Sequence, residues 1–180
     1  MRDIRDGASL PRFFAMLNQY ALASAPERLT LLRWAILQVL IGNVDGHAKN
    51  LSFFAGAEGL RLAPVYDLVC GLLYEQENVE DTLAMAIGDE FAVRKLGAYD
   101  WAQFSVNCGL PARLVAREMI SLAKACIKQL PVVALQVREE GGNAGTIEQI
   151  SAVVAAQAQA VLQAAPAIVR IVQEEWSGRV

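Results

Sequence analysis

The stretch Ile41-Gly42-Asn43-Val44-Asp45-Gly46-His47-Ala48-Lys49-Asn50-Leu51-Ser52-Phe53 decides how this chain is read, because the residue pattern changes on either side of it. Before it, between Pro26 and Ile41, Leu29, Leu32, Ile36 and Leu40 share one helical face and are joined by Leu31, Ala35 and Val39. That spacing predicts an almost wholly buried helix, stopped by Gly42-Asn43. After it, Leu51–Phe54 and Leu60–Leu62 flank Gly56-Ala57-Glu58-Gly59, which predicts a short β-hairpin. A second acid, Asp67, follows in Pro64-Val65-Tyr66-Asp67.

Outward from this centre, Leu10, Phe13, Phe14, Leu17 and Tyr20 recur at helical spacing and predict a first helix over Ser9–Leu22. An irregular stretch follows Asp67 as far as Asp81, and Thr82–Ile87 then reads as a short strand before the charged turn Gly88-Asp89-Glu90. The pattern from Asp100 is helical to Cys108, breaks at Gly109, and resumes over Pro111–Leu130, where Pro131 should kink or end it. Gly141-Gly142-Asn143-Ala144-Gly145 lacks both the GxGxxG spacing and a following Lys, so it reads as a structural turn rather than a phosphate loop. Thr146 with Gln149 predicts a capping box opening a last helix whose buried face carries Ile150, Val154, Ala158, Val161 and Leu162.

At 180 residues and 54% apolar content, one well-filled, mainly α domain is expected. A net charge of −3 disfavours direct nucleic-acid binding and an anionic membrane surface. Cys70, Cys108 and Cys126 are odd in number and set among apolar residues, which points to reduced thiols and the cytoplasm. The charged opening residues show no secretory leader, and Gln157, Gln159, Gln163 and Pro166 argue against a membrane span in the alanine-rich stretch 149–169. Arg113, Arg117, Glu139-Glu140 and Glu174-Glu175 read as solvated surface.

A helix, an acidic loop, a tight hairpin and a second acid can aim two carboxylates and an amide oxygen at one place. Phosphoryl transfer needs such a place, because Mg²⁺ takes one or two protein oxygens and shares the rest of its shell with nucleotide phosphates and water. Asp67 and Asn50 supply suitable ligand atoms, and Asp45 would face the attacking hydroxyl. The spacing Asp45-x-x-x-x-Asn50 is that of the protein-kinase catalytic loop. Any two polar loop residues meet it often, and Asp45-Gly46 is a common turn pair, so on spacing alone a plain turn remains open. A lone His47 without a second His makes a zinc site a poor reading.

The run from Leu32-Arg33-Trp34 through Phe53, with Leu62-Ala63-Pro64-Val65-Tyr66-Asp67, Leu83-Ala84-Met85-Ala86-Ile87-Gly88 and Asp100-Trp101, closely resembles the C-terminal domain of HipA-family kinases. The resemblance spans roughly residues 8 to 130. It implies a kinase C-lobe-like helical fold with a small β-hairpin carrying the active-site loop. It also implies a serine/threonine kinase of a bacterial toxin–antitoxin pair, using ATP and Mg²⁺ on a protein substrate, with an aminoacyl-tRNA synthetase as the known type. Asp45 then becomes the catalytic base, Asn50 and Asp67 the magnesium ligands, and His47, Lys49 and Tyr66 the lining of the nucleotide phosphates. For His47, nucleotide contact and loop buttress stay equally open.

Such a kinase also needs an N-terminal lobe with a phosphate-covering loop and a strand lysine. The 44 residues before Asp45 hold no Lys, and all four lysines, at 49, 95, 124 and 128, follow it. The expectation is therefore one domain over residues 1–180, without the ATP-binding lobe and inactive alone, whose missing lobe is lost or comes from a separate subunit. Two rivals remain: a non-catalytic module that docks an antitoxin or partner, and a small-molecule phosphotransferase. If a lobe has been removed, some of Phe13, Phe14 and Trp34 are expected to be exposed and to drive self-association.

Overall fold

The structure is a computed structural model that describes residues 7–74 and 81–177. Its order is α1 (Leu10–Tyr20), α2 (Ser24–Leu40), β1 (Phe53–Gly56), β2 (Gly59–Leu62), β3 (Thr82–Ile87), β4 (Glu90–Ala92), α3 (Ala98–Asn107), α4 (Ala112–Glu139), α5 (Ala144–Ala164) and α6 (Ile168–Trp176). Short 3-10 turns at Ala48–Asn50, Gly71–Tyr74, Val93–Lys95 and Ala165–Ala167 join them. The chain is mainly helical and carries the hairpin β1–β2, both as expected; among the described residues a second antiparallel pair, β3 with β4, adds a strand where only a charged turn was expected.

Helix α2 is the axis. Leu31, Leu32, Trp34, Ala35, Ile36, Val39 and Leu40 are all buried, and α1, α4 and α5 pack around it. Removing these side chains from water contributes about 1.5–3 kcal/mol for each large one, which is why a helix without an acidic or polar stripe forms here. Its exposed start projects Glu27, whose carboxylate accepts the Leu62 amide of β2 at 2.7 Å. The first hairpin also leans on the α1–α2 link: the Leu22 amide donates to the Leu60 carbonyl at 3.0 Å. Gly59 is required there, since a Cβ would lie 2.7 Å from the Leu22 nitrogen and its φ is +128°.

Several boundaries differ from the sequence reading. Strand β1 starts at Phe53 rather than Leu51, because Leu51 still caps the 3-10 turn by donating to the Ala48 carbonyl. The charged turn after Ile87 is shorter than expected, with Gly88 at φ +66°, and Glu90 already belongs to β4. Pro131 neither ends nor interrupts α4, which continues to Glu139. The ring removes one backbone bond, and the packing of α4 along α5 outweighs that loss. The last helix is opened by Asn143 and not by a Thr146–Gln149 box: Asn143 Oδ1 accepts from the Thr146 amide at 3.0 Å. It is then broken at Pro166 into α5 and α6. On α5, Val154, Ala158 and Val161 are buried as expected, while Ile150 and Leu162 are half-buried. Part of the irregular stretch after Asp67 falls in residues 75–80, outside the described residues, as do residues 1–6 of the charged opening.

Phe14 and Trp34 are buried, contrary to the idea of an uncovered face, and half-buried Phe13 stacks on Phe53 at 6.2 Å. Exposed large apolar residues include two groups, Val65, Tyr66, Leu68 and Val69 in the segment after β2 and Val132, Val133, Leu135 and Val137 late in α4. By length and composition alone, α4 and the continuous stretch Ala144–Trp176 could each cross a membrane. The glutamines and Pro166 cited against a span lower hydropathy but add no charge. Val154, Ala158, Val161 and Ile168 face the domain core. The three cysteines are free thiols. Burial raises the pKa of each, the nearby Arg28 only partly opposing it at Cys108, so they are poor nucleophiles.

A polar clasp joins α2 to α4. Glu118 is buried and accepts from Arg33 Nε at 2.9 Å and from Arg117 at 3.0 and 3.2 Å. Arg117 is thus more than the solvated surface charge expected of it. Burial pushes the Glu118 carboxyl up, but the two guanidinium hydrogen bonds and charges outweigh it and hold it below the ordinary value. A folded-state pKa below the unfolded one means stability that is present above the unfolded value, near 4.3, and lost as pH falls through the folded one. Urea denaturation should accordingly show Glu118→Gln less stable than wild type by a constant margin from about pH 5 to 8, and by a shrinking margin below about pH 4.

Candidate functional site

The loop begins with the way α2 ends. Ile41 is the last helical cap, and Gly42 follows at φ +65°, the left-handed conformation that glycine adopts without strain. The Gly42 amide donates to the Val39 carbonyl at 3.2 Å, and the Asn43 amide donates to the Gln38 carbonyl at 2.8 Å. These two bonds form a Schellman motif, and they satisfy carbonyls that would otherwise be orphaned at a buried helix end. A Cβ on Gly42 would meet Leu72 Cδ1 at 2.9 Å and Val153 at 3.0 Å, so space as well as φ selects glycine.

From this fixed point Asp45 projects outward, its side chain 71% exposed. His47 Nε2 stands 3.9 Å from Asp45 Oδ1, an ion pair when the imidazole is protonated, while His47 Nδ1 is buried without a partner among the described residues. The 3-10 turn Ala48–Asn50 then turns Asn50 inward. Its side-chain oxygen accepts the His47 amide at 3.2 Å and its side-chain nitrogen donates to the Asp67 carboxylate. The two residues expected to hold a metal are therefore in direct contact. Each keeps acceptor capacity: an amide oxygen and each carboxylate oxygen have two lone pairs.

The segment bearing Asp67 is pinned along its length. Its start is held by the Ala63 amide on the Ser52 carbonyl at 2.8 Å, and its end by the Leu72 amide on the Gly42 carbonyl at 3.1 Å. Between them Tyr66 donates its hydroxyl to the Lys49 carbonyl at 2.7 Å and lies 2.8 Å from Ser52 Oγ. The Tyr66 hydroxyl thus clamps the loop, in addition to whatever its exposed ring touches. Asp67 itself sits at φ +58°, the sole non-glycine residue with positive φ among the described residues. Asp tolerates that region better than most side chains, yet the strain is about 1–2 kcal/mol. The hydrogen bond with Asn50 is what the strained backbone delivers. Lys49 is exposed, and its ammonium has no partner among the described residues.

The acceptors that could face an oxygen-loving cation are Asn50 Oδ1 and the Asp67 carboxylate oxygen not engaged by the Asn50 amide nitrogen, with the Asp45 carboxylate and Lys49 on the same loop. Among the described residues no three His, Cys, Asp or Glu side chains cluster as an all-protein metal cage, and Mg²⁺ in a nucleotide site uses one or two carboxylates plus phosphates rather than such a cage.

Residues 2–130 match the model of the HipA-like C-terminal domain. The chain belongs to the HipA-like C-terminal domain family. It is 36% identical over 137 residues to the serine/threonine-protein kinase toxin HipA of Shewanella oneidensis, covering 76% of this chain and 31% of that protein. It is 30% identical over 116 residues to a putative kinase, Y4mE, of Sinorhizobium fredii, covering 64% of this chain and 27% of that one. In three dimensions it superposes on HipA from the Shewanella oneidensis HipA, HipB and operator DNA complex with a TM-score of 0.81 at 29% identity, over 94% of this chain and 40% of that one. The chain thus spans under half the length of each of these relatives.

In this HipA-like domain the structure links Asp45 to His47, His47 to Asn50 and Asn50 to Asp67 by direct contacts, with Tyr66 bonded to the Lys49 carbonyl. It also places two residues to which the sequence reading assigned no role. Gln38 and Asn43 are 5% and 1% exposed and lie directly beneath the loop. A glutamine on the otherwise apolar face Trp34-Ala35-Gln38-Val39, one turn before the loop, was the available signal. Gly42→Ala should destabilise the domain by about 1–3 kcal/mol through left-handed strain and crowding against Leu72, read as a lower urea midpoint at unchanged slope.

Proposed function

We propose that this chain is the catalytic C-terminal lobe of a HipA-like serine/threonine kinase, which transfers the γ-phosphoryl group of ATP to a protein hydroxyl when its nucleotide-covering lobe is supplied. The contact between Asn50 and the strained Asp67, beside an exposed Asp45, carries this reading. Asp45 orients the attacking Ser or Thr hydroxyl and accepts its proton late in the transfer. Asn50 Oδ1 and the free Asp67 carboxylate oxygen would hold Mg²⁺, which, when bound, neutralises charge on the phosphates. In this reading the exposed Lys49 contacts a phosphate, His47 steadies Asp45 or contacts the nucleotide, and Tyr66 holds the two halves of the loop together.

Because the neighbouring structure is of HipA with HipB and operator DNA, an antitoxin is the proposed partner. The net charge of −3 makes direct DNA contact by this chain a poor expectation, and an aminoacyl-tRNA synthetase is the substrate type to try first.

The purified chain with Mg²⁺ and ATP should show no phosphorylation above background. Joined to the N-terminal portion of the Shewanella relative, it should phosphorylate a protein acceptor, and Asp45→Asn should lower that rate by about 10²–10⁴-fold. Transfer that survives Asp45→Asn would contradict the assignment. A chimera inert toward protein but active on a small alcohol would favour a small-molecule phosphotransferase. A wild-type chimera that binds no MgATP, together with partner binding retained in an Asp45→Ala, Asp67→Ala double variant, would favour a docking module.

A further inference from the structure

The side chain of Asn43 touches both acidic elements of the site. Its Oδ1 accepts the Asp45 amide at 3.1 Å, and its Nδ2 donates to Gln38 Oε1 at 2.7 Å and to the Asp67 carbonyl at 3.4 Å, the longest and weakest of the three. Its backbone is held too, through the Schellman bond to the Gln38 carbonyl. The usual apolar contact of this motif, between the residue after the glycine and the helix residue five positions before it, is here an amide–amide hydrogen bond between Asn43 and Gln38.

Gln38 has no other evident reason to be polar. It is buried on an apolar helix face, and its Nε2 finds no partner among the described residues. A buried amide with an unmet N–H is destabilising relative to an apolar side chain. What it achieves is to present Oε1 to Asn43. Gly46 reports the same closeness: a Cβ there would fall 2.9 Å from Gln38 Oε1 and 3.2 Å from its Cγ, so the loop backbone lies directly on the glutamine.

We infer that Asn43, anchored by Gln38, is a positioning residue that fixes the distance between Asp45 and Asp67 and so couples the catalytic loop to the metal-binding segment. It touches no substrate atom. It acts by fastening the Asp45 backbone on one side and the Asp67 backbone on the other to a point that cannot move, the buried end of α2. This rests on the phosphoryl-transfer reading of the site, and the test separates the two.

The experiment uses the ¹⁵N-labelled 180-residue chain with MnATP as the probe. Paramagnetic broadening reads binding at Asn50 and Asp67, and amide hydrogen exchange reads the loop. In Asn43→Ala the Asp45 amide should exchange about tenfold faster and MnATP affinity should fall about 5–10-fold, the worth of one or two hydrogen bonds, while the amides of Ile36 and Met119 keep their protection. Gln38→Met, which keeps the shape and removes the anchor, should shift both readings the same way by a smaller factor; it decides the matter if Asn43→Ala does not fold. A merely structural role would lower Ile36 and Met119 protection in step with Asp45, and that outcome overturns the inference. So does unchanged MnATP binding in both variants when Asp67→Asn abolishes it. If wild type gives no broadening at Asn50 and Asp67 either alone or joined to the N-terminal portion of the Shewanella relative, the phosphoryl-transfer reading fails and takes this inference with it.

Discussion

A buried helix that ends inside a domain has carbonyls that water cannot reach, and α2 ends that way. Leu40 is fully buried, and the next residues run beneath the 3-10 turn Gly71–Tyr74 and against α5. The Schellman bonds from Gly42 and Asn43 answer this constraint with two amides. Their consequence is positional. The loop leaves α2 from a point held by the whole core, and Asp45 comes only two residues later. Few chain geometries let an exposed, charged side chain inherit the rigidity of a buried helix so directly.

The other half of the site is assembled against that fixed end. The segment from Ala63 to Leu72 is largely exposed and has little apolar packing of its own, so hydrogen bonds must hold it. Ser52 supplies two partners, and Lys49, Asn50 and Gly42 one each. The left-handed backbone at Asp67 persists because these bonds over-determine it, and strain of this kind collects where a side chain must point in one direction. Electrostatically the result is a preorganised set of oxygens on an open face, next to an apolar rim of Val65, Leu68 and Val69. Such a face is wet as it stands, and its charges act strongly only when a second body excludes water from it.

The helices were legible from periodicity because long apolar faces dominate their energetics: α2 and α3 begin two residues before the points their spacing indicated, and α4 begins where Pro111 suggested. Errors arose where a local rule met tertiary packing. Pro131 is a helix breaker by local chemistry, yet α5 alongside keeps α4 going. Asn143 displaced Thr146 as the cap because the helix starts a turn earlier than apolar spacing required. Strand β4 is three residues long, too short for any alternation to show. For the site, the Asp45 to Asn50 spacing and the later Asp67 were readable, since covalent order brings them near the same hairpin. The positive φ of Asp67, the Tyr66 clamp and the Gln38–Asn43 pair were not, because each depends on contacts between segments that only the fold brings together.

Anomalous diffraction from crystals of the chain soaked with MnATP decides whether Asn50 and Asp67 form one cation site beside Asp45. One manganese peak is expected within about 2–2.3 Å of Asn50 Oδ1 and an Asp67 carboxylate oxygen, with phosphate oxygens completing the shell on the side facing Lys49 and Asp45. A peak held by other residues, or a nucleotide bound with no metal between these two side chains, would contradict that expectation.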